Sequence, residues 1–460
     1  MTQSLASLGI SAESIRAYDQ RIPRYTSYPT APCWTTAVGP AEWADHLRQR
    51  SENDRDLSLY VHIPFCGKRC LFCGCNVIIT TKEGVAGDYL NRLEREVQLV
   101  RELWRGAGKV IQLHLGGGTP NYLTSDEMSR LNAIVSGAFT FSESAERSIE
   151  VDPRVATPEE IRQLAQVSGF RRISFGVQDF HEETQHAIGR EQTLECTFAN
   201  VAAARDAGFK SVNIDLIYGL PRQTAESWSA SLDRVRELRP DRIALYNFAF
   251  LPGKLPHQRV LDEHEMPGAP LKLEMFIEAH ERLTAEGWSF IGMDHYALAG
   301  DSLTQAQQAG TLRRNFMGYT TLRGTNLLGF GTSAISDFEG AFVQNVKKLS
   351  QYNSMIAEGL LPVERGLIRS ADDELRRFII EELMCNGVLR YDGARGSEIS
   401  ELVQVETARL HPLVDDGLIQ LDPDALRVTH KGRLFLRNIA VVFDAYLKSS
   451  SDALLFSRAV

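Results

Sequence analysis

Four of the seven cysteines in this 460-residue chain fall within ten residues, at Cys66, Cys70, Cys73 and Cys75, in the run His62-Ile63-Pro64-Phe65-Cys66-Gly67-Lys68-Arg69-Cys70-Leu71-Phe72-Cys73-Gly74-Cys75. Thiolates are soft, strongly donating ligands, so this crowding points to a soft metal centre. Burial as a small apolar residue explains single cysteines, not four in one loop that also carries Gly, Lys and Arg. A structural zinc site is the competing reading, but zinc ligands usually arrive as two separated pairs. A single residue between Cys73 and Cys75 tends to point their side chains apart, so a four-sulfur tetrahedron would be cramped. Three ligands with one thiol left over is the more natural division, and a cubane cluster held by three thiolates leaves one iron open.

The elements around this loop alternate. Apolar, β-branched runs recur at Leu57 to Ile63, Val110 to Leu115, Ser148 to Val151, Arg172 to Val177, Val212 to Ile217 and Ile243 to Phe248. Between them, Tyr89 to Leu103, Pro158 to Val167, Thr193 to Ala207 and Ala225 to Leu238 show polar and apolar faces at helical spacing. Strand–helix alternation predicts a parallel α/β sheet, and six units are too few for a full eight-fold barrel, so a partial barrel is expected. The cysteine loop follows the first run directly, which puts it at the carboxyl end of a parallel strand, where α/β sites lie.

The segment before the first strand contains Pro23-Arg24-Tyr25-Thr26-Ser27-Tyr28-Pro29-Thr30-Ala31-Pro32, too rich in proline for a helix, and reads as an arm or lid. Near Ser370 a third region begins, with a helix at Asp372 to Met384, two strands around Leu418 to Leu421 and Leu426 to Thr429, and a last helix from Lys431 to Leu447. Helices followed by a hairpin suggest a winged-helix-like fold. Residues 365 to 460 hold 13 Lys/Arg against 15 Asp/Glu, and the whole chain has a net charge of -9, so nucleic acid and anionic membrane are not expected partners. An apolar fraction of 43% suits a soluble enzyme, and no stretch approaches a membrane span or a secretory signal. Residence in the cytoplasm is expected, where thiols stay reduced and Cys33, Cys196 and Cys385 form no disulfides.

Gly116-Gly117-Gly118-Thr119-Pro120 closes the second strand. Three glycines strip side chains from the backbone and would let its amides approach a polar ligand directly. With the Cys-x3-Cys-x2-Cys loop one unit earlier, the pair resembles the radical S-adenosylmethionine (SAM) enzymes, whose cysteine loop binds a 4Fe-4S cluster and whose Gly-rich strand end receives the SAM amino group. Gly118 stands where many of them carry an acid. Further stretches narrow the likeness: Cys75, Arg24-Tyr25-Thr26-Ser27-Tyr28-Pro29-Thr30, Ser148-Ile149-Glu150-Val151-Asp152-Pro153, Ser174-Phe175-Gly176-Val177-Gln178, Gly292-Met293-Asp294-His295, Asn315-Phe316 with Gly318-Tyr319-Thr320-Thr321, Lys431-Gly432-Arg433, Arg437-Asn438-Ile439 and Phe456-Ser457-Arg458. Together they resemble the oxygen-independent coproporphyrinogen III oxidases, nearly end to end.

That resemblance implies a fold, a partial (β/α)6 radical-SAM barrel spanning 55–365, with an amino-terminal arm at 1–54 and a mainly helical, winged-helix-like domain at 366–460. It also implies an activity: oxidative decarboxylation of two propionates of coproporphyrinogen III to vinyl groups, giving protoporphyrinogen IX in haem biosynthesis, through a 5'-deoxyadenosyl radical. Cys66, Cys70 and Cys73 would ligate the cluster, and Cys75 would be an unligated, catalytic thiol. Two SAM molecules are implied, the first contacting Tyr60, Gly117, Glu150 and Ile335, the second surrounded by Phe72, Gly118, Thr119, Gln178, Arg190, Asp215 and Ala249. A flavodoxin- or ferredoxin-type electron donor, a terminal acceptor and a monomeric state are likewise implied. A substrate with four carboxylates calls for cations, and Arg21, Arg24, Arg313, Arg314 and Arg323 are candidates. Related haem-trafficking chaperones form the alternative, but they lack the fourth cysteine and the Tyr-Thr-Ser-Tyr-Pro stretch.

Overall fold

A computed structural model describes residues 17–50, 52, 54–447 and 456. Its centre is one twelve-stranded sheet built from β1 (Leu57–Ile63), β2 (Val110–Gly117), β3 (Phe141–Val151), β4 (Arg172–Gln178), β5 (Ser211–Tyr218), β6 (Arg242–Asn247), β7 (Trp288–Gly292), β8 (His295–Leu298), β9 (Asn326–Phe330), β10 (Ile335–Phe338), β11 (Ala341–Asn345) and β12 (Val363–Ile368). The order is β12-β11-β10-β9-β1-β2-β3-β4-β5-β6-β8-β7. β1 through β6 pair in parallel and in sequence, as the alternation predicts. β9 joins them as a further parallel strand beside β1, which the sequence reading did not include. Antiparallel strands flank both sides, and β12 and β7 end the sheet, so the barrel is partial and open.

The parallel strands read as nearly continuous apolar runs because both faces are covered. Leu57, Leu59, Val61 and Ile63 of β1 are all buried. Against them packs the helix Val85–Leu103, whose Ala86, Tyr89, Leu90, Leu93, Val97 and Val100 repeat at helical spacing and enter the main core. Helices Ser125–Ala138 and Pro158–Gln166 start at capping boxes, Thr124 with Glu127 and Thr157 with Glu160, which satisfy the first free amides and fix where each helix leaves its loop.

A second core gathers helix Ala371–Cys385, the helices Gly396–Val405 and Thr407–Asp415, and three buried residues of the arm, Ile22, Tyr25 and Tyr28. Residues 22–30 of the arm form no helix, as the prolines predict, and the helix Pro40–Gln49 follows; the stretch is fastened there, Tyr25 Oη donating to Asp444 at 3.0 Å and Ala445 N donating to Tyr28 Oη at 2.9 Å. Two expectations need correction. The hairpin strands Ile419–Leu421 and Ala425–Val428 are joined by a third, Val388–Arg390. The expected helix from Lys431 to Leu447 is instead broken into a short α-helix, Leu436–Ala440, between two 3-10 segments, Gly432–Phe435 and Val441–Phe443. It stops at Asp444, whose carboxylate takes the amides of Tyr446 and Leu447 and so outcompetes a further helical turn. Among the described residues no helix is long and apolar enough to cross a membrane.

Candidate active site

Register decides which side chains meet. Ile63 of β1 lies level with Gly117 of β2, Glu150 of β3 with Ser174 of β4, and Gly176 of β4 with Asp215 of β5. The carboxyl ends of consecutive strands thus carry the cysteine loop, the glycine motif, Glu150, Gln178 and Asp215 in one row. On the other side of β1, Tyr60 lies opposite Gly329 of β9, and the Ile335 backbone passes so close that a Cβ on Gly329 would stand 2.3 Å from Ile335 O.

Each sulfur of Cys66, Cys70 and Cys73 has a polar partner. Thr119 Oγ1 lies 3.4 Å from Cys66 Sγ. Arg154 Nη2 and Arg190 Nη1 donate to Cys70 Sγ at 3.4 and 3.3 Å, and Cys75 N donates to Cys73 Sγ at 3.4 Å. The Cys73 and Cys75 thiols also hydrogen-bond, so the two side chains meet rather than diverge as their spacing suggests. That bond, helped by the charges of Arg69 and Arg190, pulls Cys73 below its ordinary value and, with burial, holds Cys75 well above its own. Burial raises Cys66, which also senses Cys73 and Cys70.

Among the described residues, no group of three or more His, Cys, Asp or Glu converges tightly enough to hold a metal ion. Three thiols within electrostatic reach of one another, met by two guanidiniums, a hydroxyl and an amide, do fit an anionic cluster, whose ligands stand further apart than those around one zinc.

Two of the three glycine amides are engaged by the protein itself. Gly117 N is spent on Glu150 Oε2 at 3.2 Å and Gly118 N on Ile63 O at 2.8 Å. A Cβ on Gly116 would stand 3.0 Å from the Glu150 carboxylate, on Gly117 2.8 Å from His62, and on Gly118 2.8 Å from Pro64 O. Glycine is required here because neighbouring protein segments approach closely, with Gly117 also at φ +119°.

Glu150 is the hub of the first half of the site. His114 links Ser148 Oγ, 2.7 Å from its Nδ1, to Glu150 Oε1, 3.3 Å from its Nε2. Burial works to raise the Glu150 carboxyl, but the bonds from His114 and Gly117 prevail and hold it below the usual range. Tyr60 stacks on His114 with ring centroids 5.9 Å apart, its Oη 3.1 Å from His62 Nδ1. Asp215 takes Asn213 Nδ2 at 2.8 Å and Ser174 Oγ at 3.4 Å, yet burial, with the Glu150 charge adding to it, pushes it up to about 7.

The second half centres on Arg190. Its guanidinium donates to Asp152 Oδ2 and Oδ1 at 3.3 and 3.2 Å and to Gly176 O at 2.5 Å, besides Cys70. Gln178 adopts φ +71° at the bulge ending β4, which turns its amide back toward Gly176. Phe72 and Ala249 are tied together by a residue the sequence did not reveal: Gln258, fully buried, donates to Phe72 O at 3.1 Å and Ala249 O at 3.2 Å. Its neighbour His257 sits with Nε2 2.7 Å from Cys73 O. Neither carries a local signal. His114 and Asp152 lay inside or beside quoted motifs and were the more findable omissions.

Below this row, a cavity with about 840 Å³ of space not filled by atoms, part of it open to solvent, reaches Glu150, Asp215, Tyr246, His295 and Tyr319. Of the five candidate arginines, Arg24 and Arg314 lie over two rings of its wall, Tyr246 and Tyr319, at 5.5 and 5.0 Å from the ring centroids. Arg313 is engaged by Glu382, Arg323 donates to Gly310 O at 3.1 Å, and Arg21 is exposed.

Comparison with known proteins identifies the family. Residues 60–235 match the radical SAM superfamily, and residues 370–435 match the HemN C-terminal domain. The chain is 43% identical over 449 residues to the oxygen-independent coproporphyrinogen III oxidase of Salmonella typhimurium, covering 97% of both chains, and 40% identical over 467 residues to that of Synechocystis, covering 100% of both. The solved structure of coproporphyrinogen III oxidase (HemN) from Escherichia coli, described as a radical SAM enzyme, superimposes with a TM-score of 0.87 at 43% identity, covering 93% of this chain and all of that one. A 4Fe-4S cluster and SAM therefore go with the fold, and the chain belongs to the oxygen-independent coproporphyrinogen III oxidase family of the radical SAM superfamily.

Proposed function

We propose that this chain converts coproporphyrinogen III to protoporphyrinogen IX without oxygen, by oxidative decarboxylation of two propionates to vinyl groups. Likeness along 97% of the chain to oxidases of that name carries the reading. When bound, the cluster and SAM supply an electron and a carbon-centred radical able to abstract a propionate β-hydrogen. Cys66, Cys70 and Cys73 hold the cluster in this reading, and Cys75 stays protonated beside it.

The chain's own groups then bind, orient and exclude water. Glu150, kept ionised by His114 and Gly117, accepts bonds from an ammonium or hydroxyl group of the first SAM, with Tyr60, Gly117 and Ile335 on the same side. Phe72, Gly118, Thr119, Gln178, Arg190, Asp215 and Ala249 surround a second SAM, and an Asp215 carboxyl near 7 can either donate or accept there. The arm, assigned to 1–54 and described over 17–50, serves in this reading as a lid on the catalytic domain at 55–365, anchored by the domain at 366–460, and shields a radical from stray donors. A flavodoxin- or ferredoxin-type donor, a separate terminal acceptor, a monomeric state and cytoplasmic residence complete the reading.

Anaerobic incubation with coproporphyrinogen III, SAM and a reductant, followed by porphyrin chromatography, tests it. Monovinyl and divinyl products are expected. SAM cleavage that leaves the porphyrinogen unconsumed would overturn the assignment.

A further inference from the structure

The cavity wall beyond Asp215 has a pattern the reaction as described does not use. His295 stands between two tyrosines in edge-on contact, Tyr246 at 6.2 Å and Tyr319 at 5.4 Å between centroids. Over each tyrosine lies one guanidinium, Arg24 from the arm and Arg314 from the stretch after β8. Asp294 ties the group together, pairing with Arg24 through one oxygen and taking His295 Nδ1 at 2.6 Å through the other. Burial, followed by the charges of Arg314 and Arg24, pushes His295 down to about 3, so the ring is neutral at physiological pH and carries its proton on Nδ1.

Arg24 has a carboxylate, and Arg314 has none among the described residues. The Arg314 guanidinium touches Met293 Sδ at 2.6 Å, a weak acceptor, while its Nε is buried without a partner. Arg437 adds a third guanidinium to the same field, and both it and Arg24 are lowered by burial and by this crowding. Cations crowded behind the tyrosines of this cavity wall, one of them with no ion pair among the described residues, make a site prepared for a carboxylate brought by a ligand.

We propose that Arg24 and Arg314 together seat one carboxylate of the tetrapyrrole substrate, with the Tyr246–His295–Tyr319 wall against its ring system. This rests on the functional reading above. It selects two of the five candidate arginines by geometry: Arg313 is neutralised by Glu382, and Arg21 and Arg323 lie in exposed or chain-bound positions. Because one member comes from the arm, the seat exists only when the arm is docked.

The test uses the full-length, anaerobically reconstituted protein and two fluorescent probes, coproporphyrin III and its uncharged tetramethyl ester. The wild type is expected to prefer the acid, and Arg314→Gln, which removes no ion pair among the described residues, is expected to shrink that preference ~10- to 100-fold. Arg24→Met is paired with Asp294→Asn so that no carboxylate is stranded, and the double variant should lose a similar amount. Arg323→Ala should keep the wild-type preference. Retention of the full preference by Arg314→Gln, in protein of wild-type iron content and near-ultraviolet dichroism, would overturn this assignment alone. Failure of the wild type to bind either pigment would remove the functional reading and this assignment with it.

Discussion

Arg190 grips Asp152 with both terminal nitrogens, at 3.3 and 3.2 Å, while one of them also reaches Cys70 Sγ at 3.3 Å. Asp152 is shared with Arg154, whose Nη2 lies 2.7 Å away and which donates to the same sulfur. One buried carboxylate therefore aims two cations at one thiol. Asp152→Asn should strand both guanidiniums and lower stability by about 3–5 kcal/mol, the usual cost of breaking a buried pair, measured by equilibrium denaturation. Unchanged stability would show that the arginines find other acceptors.

The four loop cysteines should separate by iron content. Cys66→Ala, Cys70→Ala and Cys73→Ala are each expected to lose bound iron and sulfide, whereas Cys75→Ala should keep both and lose turnover. Iron and sulfide analysis of the four anaerobic preparations decides it, and an iron-free Cys75→Ala protein would reverse the division of roles.

Glu96 gives a pH signature remote from the cysteines. It lies buried among Tyr352 Oη at 2.6 Å, Asn345 Nδ2 at 2.6 Å and Gly331 N at 2.8 Å, and burial pushes it up to about 7 against those donors. A carboxyl raised on folding favours the folded state when protonated. Its contribution is fully present below the unfolded value of about 4.5 and is lost as pH rises to about 7, a change of roughly 3 kcal/mol. Denaturation midpoints should fall across that window, and Glu96→Gln should flatten the slope. A slope that survives in the variant would assign it to another group.

Gln258→Ala removes the clip between the Phe72 and Ala249 carbonyls and leaves both buried acceptors with one donor fewer. A loss of about 2 kcal/mol is expected from unmade bonds, with weaker equilibrium binding of SAM, read by calorimetry. Wild-type affinity in a destabilised variant would confine Gln258 to a purely structural part.

The sequence made some of this site visible and hid the rest for a physical reason. Cys66 to Cys75 were legible because clustered thiols have few alternative uses, and β1 to β6 because strands buried on both faces are written as unbroken apolar runs. Gln258, His257 and the Arg24–Asp294 pair were not, because they act on atoms 9 to 270 positions away, and nothing local distinguishes a glutamine that clips two carbonyls from one that faces water. The glycine motif was legible, but not which neighbours crowd it. A run of glycines signals close approach without saying whether a ligand or the protein's own His62 and Pro64 does the approaching. The last helix failed where Asp444 offered the backbone a local alternative.

The bond from Tyr25 to Asp444 joins positions 419 apart in the chain. A ribosome making this protein releases residues 57–247, with all six central strands, long before the anchor for its opening segment exists. The six consecutive parallel strands and the loop thiols are thus made first, while β7 to β12 and the arm's anchor follow within the final two hundred residues, and the arm can be latched only once translation is nearly over.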